Sequence, residues 1–136
     1  MIPMVVMSLS QRISDLAAAI GRQVKTRISA DHPGVARAWV SFGYVGSTTM
    51  VWSSFNVQSV TRSATGKYRV TFATPMKDVN YCWSAFARNS GSQSTLKVAS
   101  ARVTAEAKTV DYVEVICSSQ SGGLSDTSEL NLMVYR

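Results

Sequence analysis

Between Ser8 and about Ile28, apolar residues recur every three or four positions, which is typical of one face of an α-helix. Ser8 is followed three residues later by Gln11, the spacing of a capping box at a helix start. The pattern therefore predicts one helix with a narrow apolar stripe. The stripe consists of Leu9, Ile13, Leu16, Ile20, Val24 and Ile28.

Two interpretations of this stripe are open. The helix either packs on the domain that follows it or forms a short coiled coil between copies of the chain. Isoleucine at several seam positions favours more than two strands, and Pro33-Gly34 is typical of a linker rather than a tight return turn. Self-association through Leu9, Ile13, Leu16, Ile20 and Val24 is therefore the preferred interpretation.

From residue 36 onward, apolar and polar residues alternate with a period of two, which indicates half-buried strands. Tyr68, Val70 and Phe72 would share one face, with Lys67, Arg69 and Thr71 on the other. Many short strands separated by turn residues predict a mainly β chain with an antiparallel sandwich or barrel. The candidate strands are 36–42, 48–57, 59–62, 67–73, 79–87, 95–106, 109–117 and 129–135. The predicted organisation is an apolar anchor over 1–7, a helix over 8–29, a linker over 30–35 and the β-domain over 36–136.

Three motifs resemble, in order and spacing, a small β-domain of tail fibres and related virion proteins of tailed bacteriophages. They are Trp39-Val40-Ser41-Phe42, Ser54-Phe55-Asn56-Val57, and Gly66 to Ala73 followed by Asn80-Tyr81. The segment 9–21 is similar to the helix that often precedes this domain, and together these matches cover roughly half the chain. The resemblance implies a structural virion protein that assembles as a homotrimer in the host cytoplasm.

A helix of about 20 residues, at 1.5 Å each, is only about 30 Å long, and no long shaft follows it. The resemblance therefore implies a short fibre on the tail, neck or head, or an adaptor that another fibre binds. Ile2, Val5 and Val6 are expected to attach the subunit to another virion protein. The short apolar start has no basic region or cleavage site, so neither a signal peptide nor a membrane span is expected.

The charge of the chain changes this interpretation little. The 136 residues carry a net charge of +6, but the cations are scattered and are not interleaved with aromatic residues. Nucleic acid is therefore not expected as a partner. Cys82 and Cys117 are too few for a disulfide framework and are expected to remain free thiols in a reducing cytosol.

No catalytic constellation is found in the sequence. His32 is the only histidine, and it lies in the predicted linker without acidic or cysteine neighbours at metal spacing. Paired carboxylates could supply a glycosidase, but a small β-domain rarely forms the cleft that such a site needs. Neither an enzyme nor a cofactor is expected.

Two loops are candidates for binding a host-surface glycan or protein. Asn89 and Gln93 lie in one, and Gln120 and Asp126 lie in the second, at 118–128. Both segments are rich in polar residues that adapt their hydrogen bonds, although the second is equally well interpreted as a plain connection.

The three tryptophans bear on a second possible function. Trp39, Trp52 and Trp83 are either core or subunit-interface anchors, which alternation favours, or platforms on which sugars stack. A stand-alone, lectin-like carbohydrate-binding β-module therefore remains an alternative to the fibre subunit.

Overall fold

The computed structural model describes residues 6–29, 31–88, 95–102 and 105–136, and its chain divides into two compact units, Met1–His32 and Pro33–Arg136. The first unit contains helix α1 (Leu9–Thr26). The Ser8 hydroxyl accepts a hydrogen bond of 3.2 Å from the Gln11 amide, so the predicted N-cap is confirmed. The helix ends at Thr26 because the backbone of Arg27, its C-cap, is extended. Ile28 therefore lies outside the helix.

The second unit consists of two antiparallel four-stranded sheets, so the prediction of a mainly β chain with one N-terminal helix is confirmed. Sheet A has the strand order β2-β1-β8-β5, and sheet B has the order β3-β4-β7-β6. The strands are β1 (Ala36–Val45), β2 (Thr48–Phe55), β3 (Val57–Ala64), β4 (Lys67–Phe72), β5 (Cys82–Arg88), β6 (Lys97–Ser100), β7 (Tyr112–Ser119) and β8 (Glu129–Tyr135).

The core lies between the sheets and is formed by the residues that alternation placed inward. Tyr68, Val70 and Phe72 of β4 are buried. Edge-to-face ring contacts cross the core, with centroids 5.2 Å apart for Phe42 and Tyr68 and 5.8 Å apart for Phe72 and Tyr81. The remaining core positions are Ala38, Val40, Met76, Val113, Val115, Cys117, Leu130, Leu132 and Val134.

Asn56 forms the corner at which the chain passes from sheet A to sheet B. Its backbone is left-handed, with φ of 52°, which separates β2 from β3. Its side-chain amide donates to the carbonyls of Arg37 (3.0 Å) and Thr74 (3.1 Å), and its oxygen accepts from the Thr74 amide (2.7 Å). The predicted strand 48–57 was therefore too long, because these distant partners hold Asn56 out of the strand.

Two further strands begin later than predicted, because side chains take up backbone groups just before them. The Asp78 carboxylate accepts from the Asn80 amide at 2.8 Å, and β5 begins only at Cys82. The Thr109 hydroxyl accepts from the amides of Asp111 and Tyr112, and β7 begins at Tyr112. The predicted strand 95–106 shortens to Lys97–Ser100, and residues 103 and 104 lie outside the described residues.

Candidate functional site

The apolar stripe of α1 is solvent-exposed. Its side chains are between 53% (Ile20) and 74% (Leu9) exposed, although each is a large hydrophobic residue. The other predicted seam residues, Ile13, Leu16 and Val24, fall within these limits. Burying a leucine or isoleucine side chain is worth about 1.5–3 kcal/mol, so a partner that covers the stripe would gain substantial free energy.

Of the predicted anchor residues, only Val6 is described, and it is exposed. Ile2 and Val5 lie outside the described residues, as do the candidate recognition residues Asn89 and Gln93.

The outward side of sheet A carries a second exposed apolar surface. Trp39 stands opposite Phe55 on one side and Met133 on the other, so the three side chains form a row across strands β2, β1 and β8. Phe86 lies on β5 opposite Asn131 and is 67% exposed. Trp39, Met50, Trp52, Phe55, Phe86 and Met133 are called the aromatic face below.

Trp52 enters this surface through a bulge in β2. The pairing of β1 with β2 shifts between Ser41 and Phe42, which turns Trp52 outward. A Cβ atom at Gly43 would lie 2.6 Å from the Trp52 ring and 2.0 Å from the Ser128 carbonyl oxygen, so only glycine fits below the ring. Trp39 and Trp52 are 36% and 51% exposed and do not belong to the core. Trp83 instead points inward and packs against the core.

The segment 118–128 begins with a hydrogen-bonded turn at residues 119–122, after which the chain returns beside the end of β7. Strand β7 continues to Ser119, the Gly122 amide donates to Ser119, and Leu124 pairs with Ser118. Gly122 has φ of 90°, which glycine adopts without steric cost. Gln120 lies exposed at this turn, where its side chain can contact a partner.

The Asp126 carboxylate forms several hydrogen bonds within the fold. One oxygen accepts from the Tyr68 hydroxyl (2.6 Å), the Gly66 amide (2.9 Å) and the Arg62 side chain (2.9 Å). The other oxygen accepts from Arg62 at 2.8 Å. Arg62 also lies 4.2 Å from the ring centroid of Tyr44. Asp126 thus ties the segment before β8 to sheet B, and its role as a recognition residue stays a prediction.

The network shifts the protonation of both its acids. Hydrogen bonding from Arg62, with further bonds from Tyr68 and Gly66, lowers the pKa of Asp126 to about 2. Burial and the bond to Asp126 raise the pKa of Tyr68. Both shifts favour the ionised Asp126 carboxylate and the neutral Tyr68 phenol, the forms that make these hydrogen bonds.

Glu106 and Asp78 likewise accept hydrogen bonds from arginine side chains. Glu106 and Asp78 have lowered pKa values, caused first by bonds from Arg102 and Arg136. A general acid in a glycosidase needs a raised pKa instead. The ion pairs of the described residues include Arg62–Asp126, Arg69–Glu114, Arg88–Glu129, Arg102–Glu106 and Arg136–Asp78.

The remaining candidate groups are dispersed. Cys82 is exposed on β5, whereas Cys117 is buried on β7, where burial raises the pKa of its thiol; both are free. His32 is exposed at the end of the first unit. Within the described ranges, no three His, Cys, Asp or Glu residues lie together as a metal site requires. No helix in this part of the chain is long and apolar enough to cross a membrane.

No family model, curated protein or solved structure gives a significant match to this chain. The two exposed apolar surfaces, the α1 stripe and the aromatic face, are therefore the features on which a function is argued.

Proposed function

We propose that this chain is the subunit of a short trimeric fibre of a tailed bacteriophage, fixed to the tail, neck or head of the virion. The observation that carries the proposal is the α1 stripe, a row of large apolar side chains more than half exposed. The resemblance of the motifs in β1, β2 and β4 to phage fibre domains supports the same conclusion.

The helix itself supports self-association. Most of the stability of a protein helix comes from packing of its apolar face, and α1 carries such a face along its 18 residues. Three copies can bury Leu9, Ile13, Leu16 and Ile20 around one axis, and isoleucine at Ile13 and Ile20 favours more than two strands.

Light scattering of the purified full chain tests the trimer. We expect three chain masses for the wild type and one for the variant Ile13→Asp/Ile20→Asp, because the trimer would otherwise bury unpaired carboxylates at its axis. A matched control is Ser14→Asp/Gly21→Asp, with the same spacing one residue further along the helix. Gly21 has open space around its Cα, so this control should remain trimeric. A monomeric wild type, or a trimeric seam variant, contradicts the proposal.

Attachment to the particle is assigned to residues 1–7, with Ile2, Val5 and Val6 as apolar contacts to another virion protein. A chain that lacks these residues should remain trimeric yet be absent from purified particles. Its normal incorporation would place the attachment elsewhere.

Contact with a host-surface glycan or protein is assigned to the exposed turn at Gln120 and to the segment that contains Asn89 and Gln93. Particles that carry Gln120→Ala should attach to host cells less well than wild-type particles. Equal attachment would remove this turn from the recognition surface.

The second candidate function is a stand-alone carbohydrate-binding β-module. The exposed rings of Trp39 and Trp52 favour it, because aromatic faces stack on sugar rings. A monomeric wild type whose tryptophan fluorescence changes on titration with a neutral oligosaccharide would support this function over the fibre.

A further inference from the structure

The aromatic face is exposed in the single chain and is available to a partner. We propose that it is covered by the same face of the neighbouring copies, so that the β-domains of the trimer also pack on one another. This inference rests on the proposed trimer, because α1 brings the copies together.

The composition of the face fits a protein partner. Tryptophan, phenylalanine and methionine are enriched at the centres of protein interfaces, where charged residues are depleted. Between the rings lie Ser41, Ser53, Ser84 and Asn131, all uncharged. The ion pair of Arg88 with Glu129 stands at the end of the pairing between β5 and β8. Met50 and Met133 add flexible apolar contacts that a sugar-stacking platform does not need.

The size of the face suits a contact that adds to the one made by α1. Four strands about 4.8 Å apart and seven residues of about 3.4 Å give a surface of roughly 14 by 20 Å between backbone centres. Side chains at its edges extend it further, whereas a standard interface buries about 800 Å² on each partner. The face alone is therefore smaller than a standard interface, so its contact is proposed as an addition to the contact between the helices and not as an independent interface.

The short linker between α1 and β1 favours a neighbouring copy of the chain as the partner that covers the face. Only residues 27–35 separate α1 from β1, so associated helices hold the β-domains close together. Short linkers produce effective concentrations in the millimolar range, at which even a weak apolar contact forms. Around a threefold axis such contacts are head-to-tail and close into a ring. The Trp39–Phe55 side of one copy would then meet the Phe86 side of the next.

Cys82 offers a direct readout, because it lies on the same outward side of β5 as Phe86. Cys117 is buried and should react with a thiol reagent only after unfolding in guanidinium. At micromolar protein, we expect Cys82 in the wild-type trimer to react at least about tenfold more slowly than in monomeric Ile13→Asp/Ile20→Asp. Equal rates in a confirmed trimer overturn the covered face and leave the trimer standing. A monomeric wild type overturns both.

Phe86→Lys tests the face without touching the seam. Its side chain is largely exposed in the single chain, so the variant should fold and remain trimeric through α1, while Cys82 becomes as reactive as in the monomer. The matched control is Val98→Lys, which places the same charge at an exposed apolar position of sheet B and should leave Cys82 protected. Maltohexaose tests the alternative that the face binds a glycan. If Cys82 is reactive in the trimer and this sugar protects it, the face is a sugar-binding platform and the proposal is overturned.

Discussion

The outward sides of the two sheets are built from different kinds of residue. On sheet B, Arg69 pairs with Glu114 at 2.8 Å and its guanidinium lies 4.0 Å from the ring centroid of Tyr112. On sheet A, Trp39 and Phe86 expose their rings with serine and asparagine between them. The outward side of sheet B thus carries an ion pair formed within one chain, whereas the outward side of sheet A exposes aromatic rings.

This difference distinguishes the free energy of unfolding of the single chain from the free energy of association between chains. Removing an internal partner of sheet B should lower the free energy of unfolding of the single chain. Removing a ring from sheet A should weaken contacts between chains and leave the single chain nearly unchanged. These effects are best compared in the Ile13→Asp/Ile20→Asp variant, which we expect to be monomeric, because unfolding is then not coupled to subunit dissociation.

Asp126→Ala should have the largest effect. It removes the acceptor of the Tyr68 hydroxyl, the Gly66 amide and the Arg62 side chain together, and the Tyr68 side chain is fully buried. We expect the free energy of unfolding in urea to fall by about 3 kcal/mol, because buried polar groups lose their partner.

The control for Asp126→Ala is Arg88→Gln, which breaks the ion pair with Glu129 on sheet A. The Arg88 side chain is 73% exposed, so the loss should be under about 1 kcal/mol. Similar losses in the two variants would show that the Asp126 network is no stronger than a surface pair.

The sequence predicted the strands best where inward and outward residues differ sharply. The bounds of β8 were predicted correctly, because Leu130, Leu132 and Val134 alternate with more polar residues and all three are buried. The same alternation places Trp39 outward, between the buried Ala38 and Val40, so this part of the aromatic face could be predicted from the sequence.

Structural features that depend on hydrogen-bond partners distant in the sequence were not predicted. The Asn56 corner depends on carbonyls 18 and 19 residues away, and the hydrogen bonds of Asp126 reach back about 60 residues. Local composition indicated a polar loop at Asp126 and not these hydrogen bonds. No local pattern indicates that β1 lies between β2 and β8, on which the row of Phe55, Trp39 and Met133 depends.

An acid titration should show the next largest effect. The pKa of Asp126 is about 2 in the folded chain and about 3.8 without the fold, so folding favours its ionised form. This stabilisation is complete above about pH 5 and is lost as the pH falls through about 4 to 2. Since a fifth of the side chain is exposed, we expect a loss of about 1–2 kcal/mol rather than the full value. Asp126→Asn should lack this part of the pH dependence; identical profiles would contradict the lowered pKa.

Phe86→Lys should have the smallest effect on the single chain and therefore tests the comparison most closely. Both Phe86 and Val98 are exposed on outward sides, at 67% and 47%, so replacing either by lysine should change the free energy of unfolding of the monomer by no more than about 0.5 kcal/mol. In the trimer the two variants should differ, because only Phe86 lies on the aromatic face. A loss of about 2 kcal/mol for monomeric Phe86→Lys would mean that its ring stabilises the single chain. The difference between the sheets would then concern folding rather than assembly.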